Sequence, residues 1–149
     1  MRRRLIWVTL FSMAIVVTAL YHTTRKVHAM PVQGCSVASL KGTYAYSRTG
    51  VNNDAGGPIA EIGLDVFYGN GTRCINRDTR STNGVIQDWT DFQCPTGKYT
   101  VDPDCTGSFL ALDGTKQNNF IVVDGGNRFI LLSVMPDTIV TSEGTRIEP

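Results

Sequence analysis

The sequence predicts an all-β fold, an antiparallel up-and-down barrel of about eight strands. Three observations predict it. Turn signals built on Gly, Asp, Asn and Pro recur about every ten residues. No segment beyond residue 29 has a helical period, and three apolar bursts, Phe109 to Leu112, Phe120 to Val123 and Phe129 to Leu132, are parted by Asp-Gly turns as in a meander. Sequential hairpins without a long crossover favour such a barrel over a Greek-key sandwich.

The chain divides into residues 1–29, an arm at 30–39 and a single barrel domain at 40–149. Arg2, Arg3 and Arg4 precede an uncharged apolar run from Leu5 to Tyr21, the layout of a secretory signal, with Val27 and Ala29 suited to cleavage after Ala29. The alternative is an uncleaved anchor, but the run is marginal for the roughly 20 residues that span a bilayer. Either way the domain is expected to be secreted or periplasmic, with membrane contact only through an uncleaved leader.

Without residues 1–29 the chain keeps nine Lys and Arg against thirteen Asp and Glu, a net charge of −4. That balance argues against nucleic acid, which calls for a basic surface, and offers no polybasic attraction to anionic lipid. Both histidines, His22 and His28, lie in the leader. Hydrolysis through a His base and His-ligated zinc are therefore excluded, and an enzyme would have to use carboxylates, Lys or Tyr. No cofactor is expected.

Four cysteines remain, Cys35, Cys74, Cys94 and Cys105, and an even number in an exported chain reads as two disulfides. The Asn83-Gly84 turn signal lies nearly midway between Cys74 and Cys94, which favours that pair and leaves Cys35 with Cys105. Zinc is disfavoured because there is no Cys-x-x-Cys pair.

The elements follow in order. The arm reads as extended and pinned by Cys35. Leu40 to Arg48 alternates as a strand with Tyr44 and Tyr46 on one face. Thr49 to Pro58 reads as a long polar loop. The next strand sets Ala60, Ile62, Leu64, Val66 and Tyr68 on one face and Glu61, Gly63, Asp65 and Phe67 on the other, and ends in an Asn70-Gly71 turn. The apolar set is expected to face the core, leaving Glu61 and Asp65 in solvent.

Asn70-Gly71-Thr72 is also a glycosylation sequon, relevant only in a eukaryotic host. Arg77 to Gly84 looks like a hairpin tip, where Arg77 and Arg80 would either bind an anion or form a solvated pair with Asp78. Five strands then follow: Lys98 to Val101, Thr106 to Leu112, Asn119 to Val123, Arg128 to Val134 and Ile139 to Ile147. Asp102 and Asp104, with Asp91, are candidate calcium ligands, but two aspartates flanking Pro103 read as a turn and no metal is expected.

The bursts carry one further implication. Phe120 to Val123 and Phe129 to Leu132 are apolar on both strand faces, so the outer face of a barrel built from them needs a cover. The arm, another subunit in a homo-oligomer, or a lipid surface would supply one.

Gly42-x-Tyr44 on the first strand and Arg146 on the last resemble the calycin arrangement, the barrel group that includes lipocalins. There a Gly-x-Trp motif is packed by an Arg from the final strand. This chain has Tyr44 in place of the Trp, and no N-terminal helical turn is evident in the sequence. Leu40 to Tyr44, Gly97-x-Tyr99-x-Val101 with Asp104-Cys105-Thr106-Gly107, and Val123 to Gly126 are similar to a group of uncharacterised exported bacterial proteins. The resemblance spans most of the barrel domain. It implies a small secreted barrel, similar to the allene oxide cyclase type, and no reaction.

The leading functional expectation is a non-enzymatic barrel that holds a small apolar ligand or a surface partner, with Tyr44, Tyr46, Ile62, Leu64 and Val66 as candidate lining. The alternatives are a cyclase or isomerase that uses Glu61 or Asp65 as acid or base, and a structural module whose lumen is filled by its own side chains.

Overall fold

The computed structural model describes residues 34–148. The expectations placed on the leader and on residues 30–33 lie outside the described residues. Nine strands follow in chain order: β1 (Lys41–Asn52), β2 (Gly57–Tyr68), β3 (Thr72–Thr82), β4 (Val85–Trp89), β5 (Gly97–Val101), β6 (Thr106–Leu110), β7 (Lys116–Val123), β8 (Arg128–Ser133) and β9 (Thr138–Glu148). Eight of them close a barrel in the order β1-β2-β3-β5-β6-β7-β8-β9, with β9 returning to β1. Every pairing is antiparallel. The ninth, β4, lies outside this closure and pairs with the later half of β3. A closed antiparallel eight-strand barrel is consistent with the calycin resemblance.

The first hairpin is longer than its sequence suggests. Only residues 53–56 form the turn, because Thr49 and Val51 continue the ladder against Ala60 and Pro58. The expected long loop at Thr49 to Pro58 is thus mostly strand. Arg77 to Thr82 is also strand rather than hairpin tip. The reversal is confined to Asn83-Gly84, whose φ values of 52° and 84° suit a two-residue turn.

β2 faces opposite to expectation. Glu61 and Asp65 are each 3% exposed, while Ile62 is 62% exposed, and Leu64 and Val66 also lie on the outer side. Phe67 decides the facing: it joins the aromatic core, and the period of two then carries Asp65, Gly63, Glu61 and Ile59 inward with it.

That core fills one end of the barrel. Tyr44, Phe67, Tyr99, Phe109, Phe120 and Phe129 form a continuous cluster, with ring centroids 5.1 Å apart for Tyr44–Phe67, 5.2 Å for Phe67–Tyr99 and 4.4 Å for Phe109–Phe120. Edge and tilted contacts at such distances add about 0.5–1.5 kcal/mol each beyond burial. A short 3-10 turn at Val37–Ser39 precedes β1, supplying the helical turn that the sequence did not reveal. The fully buried Leu40 follows it, and the Tyr99 hydroxyl donates to the Val37 and Leu40 carbonyls at 2.9 and 2.8 Å.

Both disulfides are intramolecular. Cys35–Cys105 fastens the segment before β1 to the β5–β6 turn, where the Cys35 N–H donates to the Pro103 carbonyl at 3.2 Å. Cys74–Cys94 ties β3 to the segment after β4. Thr96 supports that link, its N–H donating to the Arg73 carbonyl and its hydroxyl accepting from Ile75 N–H. Two such bonds suit an oxidising compartment.

Candidate functional site

The alternation that buries Tyr44 also aims Tyr46 and Arg48 into the barrel, and cross-strand register sets their neighbours. Arg48, Glu61 and Arg80 occupy one rung across β1, β2 and β3; Tyr46, Gly63 and Asp78 occupy the next. Glu61 Oε1 accepts from Arg48 Nη1 at 3.3 Å and from the Tyr46 hydroxyl at 3.2 Å, and Oε2 accepts from Arg80 Nε at 2.6 Å. Arg80 also reaches Asp78 Oδ2 at 3.5 Å and stacks on Trp89 with its guanidinium 5.3 Å from the ring centroid. Gly63 makes this possible, since a Cβ there would meet the Tyr46 ring and hydroxyl at 2.6 Å.

Closer to the aromatic cluster, the Asp65 carboxylate accepts from Arg73 Nη1. The Arg73 guanidinium in turn lies 4.8 Å from the Phe109 ring centroid. Three carboxylates therefore meet three guanidinium groups inside the barrel, which is the condition for burying so many charges.

Burial still raises the carboxyl pKa values. Asp78 is pushed up to about 6 by desolvation and then by the Glu61 charge, with Arg80 opposing. Asp65 is raised by desolvation against the pull of Arg73. The Tyr46 hydroxyl is held well above its ordinary value by burial and by Glu61.

The lumen left over is small. A recess of about 30 Å³ lies between Tyr46, Arg48, Asp65, Arg73, Asn118 and Ser142, close to the volume one water takes in the liquid. It faces polar atoms that lack a protein partner, namely Arg48 Nε, Arg73 Nε, Asp65 Oδ1 and Asn118 Oδ1. A drug-sized ligand needs about 300–1,000 Å³. Tyr44 is packed into the aromatic cluster and Tyr46 into the ionic rungs, while Ile62, Leu64 and Val66 do not line the lumen at all.

Gly42, Tyr44 and Arg146 meet at the closed end. Gly42 pairs with Phe67 and takes a φ of 107°, a region open to glycine. The Tyr44 hydroxyl donates to the Gly126 carbonyl and accepts from Arg146 Nη2 at 3.0 Å; the same Nη2 also donates to the Gly126 carbonyl at 2.8 Å and the Ser39 carbonyl at 3.3 Å. The guanidinium lies 5.5 Å from the Tyr44 ring centroid.

The larger concavity is on the outside. A groove of about 530 Å³ runs over β6 to β9, floored by Ile121, Ile130 and Leu132 and edged by Asp102, Ser108, Lys116, Asn119 and Thr141. Register explains it: Phe120, Val122, Phe129 and Leu131 turn inward, so the alternate apolar residues of the same bursts turn outward and stay about half exposed. Ile121 and Ile130 are direct cross-strand partners.

The other candidates fall elsewhere. Arg77 is exposed and apart from the rungs that hold Arg80. Asp104 Oδ1 accepts from Thr106 N–H and hydroxyl at 3.0 and 2.7 Å, a turn motif. No cluster of metal-binding side chains occurs among the described residues.

Sequence reasoning missed Arg48, Arg73, Asp78, Arg80 and Asn118 as lumen residues. One signal was present, since Arg48 is in phase with Tyr44 and Tyr46 on β1. No family model, curated protein or solved structure matches the chain.

Proposed function

We propose that this is an exported, non-enzymatic binding module that holds apolar groups of a partner on the outside of its barrel, with the lumen serving as structural core. The observation that carries this is the contrast in space: about 30 Å³ inside against about 530 Å³ on the apolar outer face of β6 to β9. Exposed apolar surface that is contiguous and rimmed by polar residues, here including Asp102 and Lys116, is the ordinary mark of an interaction site. The disulfides and the calycin-like closure fit a secreted barrel of the lipocalin or allene oxide cyclase type, used here without an open calyx.

Titration with an environment-sensitive apolar dye tests the reading. The protein should enhance the dye's fluorescence, and Ile121→Ser with Ile130→Ser should abolish the enhancement while the melting temperature holds. Unchanged enhancement in that variant would remove the outer face as the binding surface.

The burial of Glu61, Asp65 and Asp78 favours a second reading, a cyclase or isomerase with a lumen acid or base. Their pairing with Arg48, Arg73 and Arg80 and the filled lumen weigh against it. Turnover of a small apolar substrate that disappears in Asp65→Asn would reverse that judgement.

A further inference from the structure

Closing a sheet into a barrel removes its edges, yet this chain keeps one strand outside the closure. Among the described residues β4 pairs only with β3. Its opposite edge has no proline, no lysine and no bulge, and its guards against pairing are limited to a length of five residues and one acid, Asp88. Val85 and Ile86 at its start are 65% and 68% exposed, and the Asp88 carboxylate is occupied on the sheet face by the Thr79 hydroxyl at 2.6 Å.

The parity of the ladder fixes which backbone groups are free. A two-residue turn makes Thr82 and Val85 a hydrogen-bonded pair, so Arg80 with Gln87 and Asp78 with Trp89 are hydrogen-bonded pairs as well. The N–H and C=O groups of Ile86 and Asp88 therefore point away from β3. An antiparallel strand centred on Gln87 would receive them all.

We propose that this edge pairs with β4 of a second copy of the chain, about a two-fold axis through Gln87. Self-complementarity of the strand selects a second copy as the partner. In that register Ile86 meets the partner's Asp88 and Asp88 meets the partner's Ile86, so the free backbone groups of each strand bond those of the other in four hydrogen bonds. Val85 then lies opposite the partner's Trp89 in the closer, non-hydrogen-bonded type of pair, and this favourable match of a β-branched residue with an aromatic occurs twice. The two Ile86 side chains sit diagonally on the same face, beside the shallow groove that each Ile86 forms with Ile62 and Thr79. The contact is isologous and closed, as a two-fold requires. It is independent of the outer-face groove on β6 to β9 and leaves that groove free on both copies.

One five-residue strand per copy makes a small interface, so association should be concentration-dependent. Sedimentation velocity across a concentration series should show the mass rising from monomer to dimer. Ile86→Pro removes an outward N–H while sparing the β3–β4 ladder, and should stay monomeric at every concentration with an unchanged far-ultraviolet circular dichroism spectrum.

If that variant does not fold, the wild-type background carrying Gln87→Cys serves instead. It should form an intermolecular disulfide under mild oxidation far faster than Val85→Cys. A wild-type protein that stays monomeric throughout, a dimer that survives Ile86→Pro, or equal cross-linking at residues 85 and 87 would each overturn the proposal.

Discussion

The Arg73 guanidinium stands 4.8 Å from the centre of the Phe109 ring while donating to the Asp65 carboxylate. Arg73 therefore joins the two halves of the lumen, aromatic below and ionic above. No apolar chamber is left between them. The carboxylates that sequence reasoning placed in solvent are part of the barrel's filling.

The Asp65–Arg73 pair should be costly to break and cheap to replace. Arg73→Met leaves a buried carboxylate without its partner and is expected to lower stability by about 3–5 kcal/mol. Adding Asp65→Leu to it should restore most of that loss, because an apolar pair of similar volume avoids the desolvation of two charges. Urea unfolding of the two single variants and the double variant measures the coupling.

Asp78 gives stability a definite pH dependence. Its folded pKa, about 6, lies above the ordinary 3.8, so the folded state holds the proton more tightly. The favourable contribution is complete below the ordinary value and is lost as pH rises through the folded one. Wild type should thus lose stability from about pH 4 to pH 6 relative to Asp78→Asn. Thermal melts of both proteins across that window provide the check.

The closed end depends on one hydroxyl. Tyr44→Phe keeps the ring contacts but removes the group that donates to the Gly126 carbonyl and accepts from Arg146. A loss of about 1–3 kcal/mol is expected. Hydrogen exchange should quicken around Gly126 and Ser39, and exchange at β4 should not change.

The two disulfides should differ in worth. Cys35–Cys105 closes a separation of 70 residues and Cys74–Cys94 one of 20, so loop entropy favours the first by about 1 kcal/mol. Replacing Cys35 and Cys105 by Ala should lower the midpoint of chemical unfolding more than replacing Cys74 and Cys94. It also frees the segment that precedes β1.

Fold class, most turns and the two-faced bursts were legible in the sequence because they rest on local chemistry. Asn83-Gly84 needs only two residues with positive φ, and Phe120 and Phe129 announce their strands by composition. The facing of β2 was not legible. Ile62, Leu64 and Val66 outnumber Phe67 as apolar residues, but the inward face is chosen by the rings that Phe67 meets from β1, β5, β6 and β8 and by the guanidinium groups that Asp65 and Glu61 meet from β1 and β3. Those partners are distant in sequence, as Arg80 is from Glu61 and Arg146 from Tyr44. A charge pattern that looks solvated on one strand becomes a buried network only when the register of three strands is known.

Nuclear magnetic resonance of the labelled protein during titration with a small apolar probe tests the central claim most directly. Amide shifts should be confined to the outer-face positions of β7 and β8, around Ile121, Ile130 and Leu132, with the resonances of Phe67, Phe109 and Asp65 unmoved. Shifts centred on Phe67, Phe109 and Asp65 would place the ligand in the lumen and contradict it.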